Sequence, residues 1–68
     1  MISVYIDDLN PYCQKAIENF YIANCQMEDA MYIVEFNKKF RCKCSLGATG
    51  WLMSFEDEDY TWFLLKYN

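Results

Sequence analysis

The chain has 68 residues, ten acidic and six basic side chains, a net charge of −4 and no histidine. Apolar residues make up 54% of it, and thirteen residues are aromatic (two Trp, six Tyr and five Phe). This composition excludes a disordered chain, and the lack of histidine excludes most imidazole-dependent catalysis, including Ser-His-Asp and Cys-His machinery.

The length predicts one compact domain over residues 1–68. A domain of this size buries only about 60% of the surface that its unfolded chain exposes. Stability then needs disulfides, a metal, oligomerisation or an unusually rich core. The aromatic content favours a rich core, because each buried ring removes a large apolar surface from water.

The first third of the chain predicts a strand followed by a helix. Residues 2–6 are β-branched or aromatic, which is typical of a strand. Asn10 is a favourable N-cap and Pro11 is favoured at the first helical position. Apolar side chains then recur at helical spacing, so we predict a helix over residues 11–25.

The remainder predicts two β-hairpins. Residues 31–36 and 40–46 flank a three-residue loop, and apolar and polar side chains alternate in the second run. Residues 51–56 and 60–67 flank a second turn that contains Asp57 and Glu58. The predicted order is β-α-β-β-β-β. The predicted fold is α+β, with one helix packed on one face of a mostly antiparallel sheet.

An exposed apolar patch is predicted on the outer face of this sheet. If Tyr60, Trp62 and Leu64 point into the core, the alternate side chains of the last strand point outward. A single helix cannot cover both faces, and an exposed apolar patch is typical of an interaction site. The side chains predicted to contact a partner there are Leu52, Phe63, Leu65 and Tyr67. The alternatives are a central, covered last strand, which would hide this patch, and a homodimer through it.

Four consecutive carboxylates, Glu56, Asp57, Glu58 and Asp59, are predicted at the tip of the second hairpin. They could imitate a phosphate backbone, occupy a basic groove of a partner and accelerate the encounter with it. The alternative is a turn that only adds solubility. The spacing of an EF-hand is missing, so no dedicated calcium site is predicted.

Four of the six basic residues, Lys38, Lys39, Arg41 and Lys43, lie in the first predicted hairpin. Basic and aromatic side chains together can bind nucleic acid. The acidic balance of the chain argues against direct nucleic-acid binding, since phosphate contacts need a basic surface. These residues are therefore interpreted as a solvated strand face.

The four cysteines are predicted to be free, largely buried thiols. The residues Cys42 and Cys44 fall in register with apolar neighbours in a predicted strand, which favours a core role over a zinc site with Cys13 and Cys25. Cys13 lies in a predicted first helical turn, where a thiol pKa can fall, but no histidine is present to act as its base. No metal, cofactor or catalytic residue is predicted.

No stretch approaches the roughly 20 apolar residues of a membrane span. Residues 1–6 are apolar, but no basic segment precedes them and two aspartates follow at once, so no signal peptide is predicted. We therefore predict a cytoplasmic protein, with reduced thiols and no membrane contact.

No motif is extensive enough to indicate a family. In size, charge and lack of catalytic groups the chain is similar to small acidic proteins of phages and mobile elements that inhibit host or defence machinery, including anti-CRISPR proteins. The leading hypothesis is a non-enzymatic inhibitor that binds a larger protein and occludes a functional surface, such as one that binds nucleic acid. The alternative is a structural module or subunit that homodimerises through the outer sheet face.

Overall fold

The computed structural model describes residues 1–67 and has an α+β fold, as predicted, with three helices and a three-stranded antiparallel sheet. Its elements are β1 (Ile2–Tyr5), a 3-10 turn (Ile6–Asp8), α1 (Pro11–Asn24), α2 (Asp29–Phe40), β2 (Lys43–Leu46), β3 (Trp51–Phe55) and α3 (Asp57–Lys66).

The first strand and the first helix confirm the prediction. The side-chain oxygen of Asn10 accepts a hydrogen bond from the Cys13 backbone N–H at 2.9 Å, and Pro11 occupies the first turn of α1. This cap satisfies one of the N–H groups that the start of a helix leaves unpaired. The buried stripe of α1 consists of Cys13, Ile17 and Phe20.

The first predicted hairpin is wrong, because residues 31–36 belong to helix α2. Tyr32, Phe36 and Phe40 are spaced by four residues, so they form a single stripe in which both phenylalanines are buried. A short apolar run fits a strand or a buried helix equally well. Here the stripe from Tyr32 to Phe40 extends beyond the run, and its four-residue spacing favours the helix. Within predicted strand 40–46, only Lys43–Leu46 is a strand.

The second predicted hairpin is half correct. The predicted strand 51–56 is confirmed as β3, whereas residues 60–67 fall mainly in helix α3, which begins at Asp57. The carboxylates that suggested a turn occupy the first turn of this helix, where the N-terminal dipole favours negative charge. The observed order is therefore β-α-α-β-β-α.

The sheet has the strand order β1-β3-β2, with both pairs antiparallel. Val4 and Cys44 flank Met53 in register on the inner face, which packs against the helices. Ser3 and Ser54 lie on the outer face, where their hydroxyl oxygens are 3.0 Å apart. The alternation along β3 therefore separates an apolar inner face from a more polar outer face.

The core is aromatic, and Phe40 lies at its centre. The ring of Phe40 has no exposed surface and lies between 4.8 and 5.8 Å, centroid to centroid, from four other rings. These rings belong to Phe20 of α1, Phe36 of α2, Phe63 of α3 and Tyr67 just after α3. One side chain therefore joins all three helices, as the aromatic composition led us to expect of a small core.

The connection between β2 and β3 depends on two glycines. The Gly47 N–H donates to the Gly50 carbonyl oxygen at 2.7 Å, which closes the turn. A Cβ atom on Gly47 would lie only 2.6 Å from the ring of Tyr5, whose hydroxyl oxygen accepts a hydrogen bond from the Ala48 N–H. Gly50 has φ +147°, a conformation that L residues rarely adopt.

Candidate functional site

Phe63 does not belong to an exposed patch. It lies in α3, is completely buried, and packs against Phe40 and Phe55 at 5.8 and 5.1 Å between ring centroids. The prediction of a partner contact at Phe63 is therefore wrong. Its cause is the helical conformation of residues 57–66, in which alternate residues no longer share a face.

The other three residues of the predicted patch do not form one surface. Leu65 is 75% exposed on α3, on the inner side of the sheet. Leu52 is half-buried and belongs to the outer sheet face with Ser54. Tyr67 is half-buried and contacts the core ring of Phe40. The structure therefore places Leu52 and Leu65 on opposite sides of the sheet.

The acidic run is a helix start and not a hairpin tip. Glu56 is the N-cap residue of α3, and the next three residues, Asp57, Glu58 and Asp59, form its first turn. The N-terminal amino group of Met1 lies 3.7 Å from a carboxylate oxygen of Asp57. These contacts give the run a structural role in starting α3 and holding the start of β1. Most of its surface remains exposed.

An open apolar groove of about 720 Å³ lies between α1, α2 and one end of the inner sheet face. Along α1 and its C-cap the wall consists of Ile17, Tyr21 and Cys25 at four-residue spacing together with Glu18, and on α2 it consists of residues from the first two turns. The principal lining side chains are Ile17, Tyr21, Cys25, Tyr32, Phe36 and Trp51. The groove is continuous with the core, because Ile17 and Phe36 also belong to the buried cluster.

Large apolar side chains remain exposed where the groove meets solvent. Leu46 and Trp51 are paired in register at the end of β2 and β3 and are 73% and 45% exposed. Tyr21 on the α1 wall is 58% exposed, and its ring lies 6.2 Å from that of Tyr32. Exposed aromatic side chains around an apolar concavity are typical of a binding surface.

The sequence analysis missed this groove because half of it depends on α2. The α1 wall has a detectable signal, since Ile17, Tyr21 and Cys25 follow helical spacing. The α2 wall lies in residues predicted as a strand, in which Tyr32 and Phe36 would belong to a sheet face and not to a second helix packed beside α1. The signal that could have found it is the spacing from Tyr32 through Phe36 to Phe40.

The charged side chains that line the groove, Glu18 and Asp29, are both carboxylates. Glu18 lies 3.9 Å from the Lys15 ammonium, and because both side chains are well exposed the pair is weak. The basic residues Lys38 and Lys39 lie in the last turn of α2, at the opposite end of this helix from Asp29. The groove therefore lies at an acidic end of the molecule.

Of the predicted basic strand face, only Lys43 is an exposed strand residue, in β2. The prediction is wrong for the other three residues, because Lys38 and Lys39 are helical and Arg41 ends α2 in a left-handed conformation with φ 54°. The guanidinium carbon of Arg41 lies 4.0 Å from the ring centroid of Trp62, and the Lys66 ammonium lies 5.5 Å from it. Cation–π contacts of this kind stabilise the chain internally. They give part of the basic cluster a structural role.

The cysteines are free thiols in different environments. Cys13 and Cys42 are buried, Cys44 is half-buried and Cys25 is exposed in the groove. Burial raises the pKa of Cys42 to about 12, with a smaller contribution from the nearby Cys44. Burial also raises the pKa of Cys13, and this effect outweighs the lowering effect of its hydrogen bond with Asn10. Cys13 is therefore a protonated core thiol and not an activated nucleophile.

Within residues 1–67, no three or more Cys, Asp or Glu side chains lie close enough together to hold a metal ion. The helices of this part of the chain are too short or too polar to cross a membrane.

Comparison with other proteins gives no relative to argue from. No protein-family model matches the chain, and neither curated proteins nor solved structures give a significant match.

Proposed function

We propose that this chain is a small acidic, non-enzymatic inhibitor that binds a larger protein and covers one of its functional surfaces. The observation that carries the proposal is the apolar groove with exposed Tyr21 and Trp51 at its edge. Interfaces gain most of their affinity from a few aromatic side chains next to well-packed pockets. Both parts of such an arrangement are present here on one face.

The size of the chain supports inhibition by coverage. Its total accessible surface is 4785 Å². A stable interface buries about 800 Å² on each partner, which is about a sixth of this surface. The groove face can therefore hold a partner while the rest of the chain projects from the contact and excludes other ligands.

Electrostatic steering is a separate part of the proposal. The net charge is −4, and the acidic run Glu56–Asp59 remains largely exposed. This run and the groove lie at opposite ends of β3, whose four residue steps from Trp51 to Phe55 span about 13 Å. We propose that the groove supplies affinity and the acidic run accelerates encounter with a basic surface, such as one that binds nucleic acid.

We place this activity in the cytoplasm of a host cell. The support is the likeness in size and charge to small phage and mobile-element inhibitors of the anti-CRISPR kind. The alternative, a homodimer through the outer sheet face, has less support, because that face presents polar side chains such as Ser3, Lys43 and Ser54.

The test uses two exposed tyrosines of α1, only one of which lines the groove. Tyr21→Ser removes the groove residue, and Tyr12→Ser removes a tyrosine that is 68% exposed near the start of the helix. Proteins captured on the immobilised chain from the cytoplasm of cells that carry it would be purified and assayed for binding and activity.

We expect the chain to inhibit the captured protein. Tyr21→Ser should weaken the complex at least tenfold, while Tyr12→Ser should change its affinity less than twofold. A partner that binds all three chains equally, or whose activity is unchanged in the complex, would contradict the proposal.

A further inference from the structure

We infer that the groove receives a short amphipathic α-helix of the partner that carries apolar side chains on one face and lysine or arginine beside them. This inference rests on the proposed function and adds the conformation and charge of the segment that is bound. Three observations carry it: the length of the groove, the state of the neighbouring sheet edge and the charge of the lining.

The length of the groove matches two turns of a helix. Its α1 wall extends from Ile17 to Cys25, the C-cap residue of α1, which is eight residue steps and about 12 Å at the rise of an α-helix. Apolar residues at positions i, i+3 or i+4, and i+7 of a bound helix span about 10.5 Å. This is the pattern of anchors by which amphipathic helices occupy apolar grooves.

The neighbouring sheet edge disfavours an extended segment. Strand β2 is an edge strand, and a partner strand would have to pair with its free backbone groups. The outward-facing N–H of Cys44 already donates to the side-chain oxygen of Asn37 at 2.9 Å. This hydrogen bond removes one of the backbone groups that a partner strand would need, so side-chain burial in the groove is the more favourable source of affinity.

The charge of the lining selects a basic occupant. Glu18 and Asp29 both line the groove, and the Lys15 partner of Glu18 is exposed and easily displaced. A second copy of the chain is disfavoured, because a two-fold contact would bring the same carboxylates of two −4 chains together. Insertion of the basic end of α2 from another copy would be a head-to-tail contact, which gives open chains unless the rotation between copies closes a ring.

The test is selection of helical peptides on the intact chain. A displayed library of 16-residue peptides on an alanine-based helical frame, randomised at apolar and charged positions, would be selected on the wild type. Clones that also bind Tyr21→Arg would be removed, and Tyr12→Arg would serve as the matched surface control. Both variants would first be checked for wild-type circular dichroism, and light scattering would give the mass of the free chain.

We expect enrichment of peptides with apolar residues at i, i+3 or i+4, and i+7 and with net positive charge. The best peptide should bind Tyr21→Arg at least tenfold more weakly than Tyr12→Arg. Glu18→Gln should weaken it about threefold at low salt. Glu35→Gln should have no effect, because Glu35 forms a similar pair with Lys38 but does not line the groove.

Three results would overturn the inference. The first is that no peptide binds the wild type better than it binds Tyr21→Arg. The second is enrichment of peptides that are acidic or uncharged, or whose apolar residues alternate as in a strand. The third is a dimer of the free chain that buries Tyr21. The proposed function fails separately. If the captured partner contacts Tyr21 through a loop or a strand, the proposed function stands and the inference of a bound helix fails. If helical peptides bind at Tyr21 but no inhibition depends on Tyr21, the inference of a bound helix stands and the proposed function fails.

Discussion

The side-chain oxygen of Asn37 accepts a hydrogen bond from the backbone N–H of Cys44 at 2.9 Å. The backbone oxygen of Asn37 also accepts from the Cys42 N–H at 3.1 Å. One residue in the last turn of α2 thereby fixes the turn through Arg41 and ties the helix to strand β2. This link holds the α2 wall of the groove against the sheet.

Replacing Asn37 by alanine should lower the free energy of unfolding by about 1 kcal/mol, because the half-buried Cys44 N–H of β2 loses its hydrogen-bond acceptor. Denaturant unfolding measures this loss, and hydrogen exchange should show a less protected Cys44 amide. Asn19→Ala, at an exposed position within α1, is the control for helix propensity and should be neutral or slightly stabilising. Equal effects at the two asparagines would show that the hydrogen bond to Cys44 contributes nothing.

Phe40 should be the most sensitive core position. Phe40→Ala removes the ring that joins the three helices and should cost about 3–5 kcal/mol, enough to unfold much of a domain this small. Phe40→Leu keeps most of the volume and should retain a cooperative unfolding transition. Thermal unfolding followed by circular dichroism distinguishes them. A loss below about 1 kcal/mol in Phe40→Ala would mean that this ring is not at the centre of the core.

Stability should fall at alkaline pH. Burial raises the pKa of Cys42 to about 12, whereas a thiol in an unfolded chain has a pKa of about 8.5. Between these values the unfolded state has released a proton that the folded state keeps, so the free energy of unfolding decreases as pH rises. Above the unfolded pKa, Cys42 lowers the free energy of unfolding by up to about 1.4 kcal/mol per pH unit. Below the unfolded pKa, Cys42 no longer makes stability depend on pH, and its full stabilisation is present.

Urea unfolding at pH 7.5 and pH 10 tests this dependence. Cys42→Ala should be less stable at pH 7.5 but should lose less stability between the two pH values. A residual decrease is expected in this variant, because burial also raises the pKa values of Cys13, Cys44, Tyr32 and Tyr67. An identical decrease in the wild type and Cys42→Ala would refute the assignment.

The thiols should react with iodoacetamide in the order of their exposure. Cys25 is exposed in the groove and should be modified first, whereas Cys13 and Cys42 should react only when the chain opens. Peptide mass spectrometry of the native protein gives the rate at each site. Modification of Cys42 as fast as Cys25 would contradict the packing of α2 against β2.

The sequence predicted the fold class, β1, α1 and β3, because their signals are local. Asn10 with Pro11 marks a helix start, and in strand β3 the buried Met53 and Phe55 alternate with the half-buried Leu52 and Ser54. Residues 31–36 and 60–67 are short apolar runs whose β-branched and aromatic content favoured strands. Their helical state depends on distant contacts, above all on packing around Phe40 and Phe63, which no local pattern shows.

The candidate site was less predictable than the fold. Phe63 and Leu65 were assigned to one exposed face only because the alternation of a strand was applied to a helix. The groove needs α1 and α2 side by side, and this arrangement appears only when Tyr32 and Phe36 are placed on a helix. The acidic run was predicted at a hairpin tip and lies instead at the start of α3.

The two tryptophans give the most direct test of the claim that the groove is the binding face. Trp51 lines the groove, whereas Trp62 lies on α3 against Arg41 and does not line it. Their indole N–H groups give two separate signals in a proton–nitrogen correlation spectrum. Addition of the captured partner, or of the peptide selected on the chain, should shift or broaden the Trp51 signal and leave that of Trp62 near its free position. Binding that moves only the Trp62 signal, or neither signal, would contradict the assignment of the groove as the binding face.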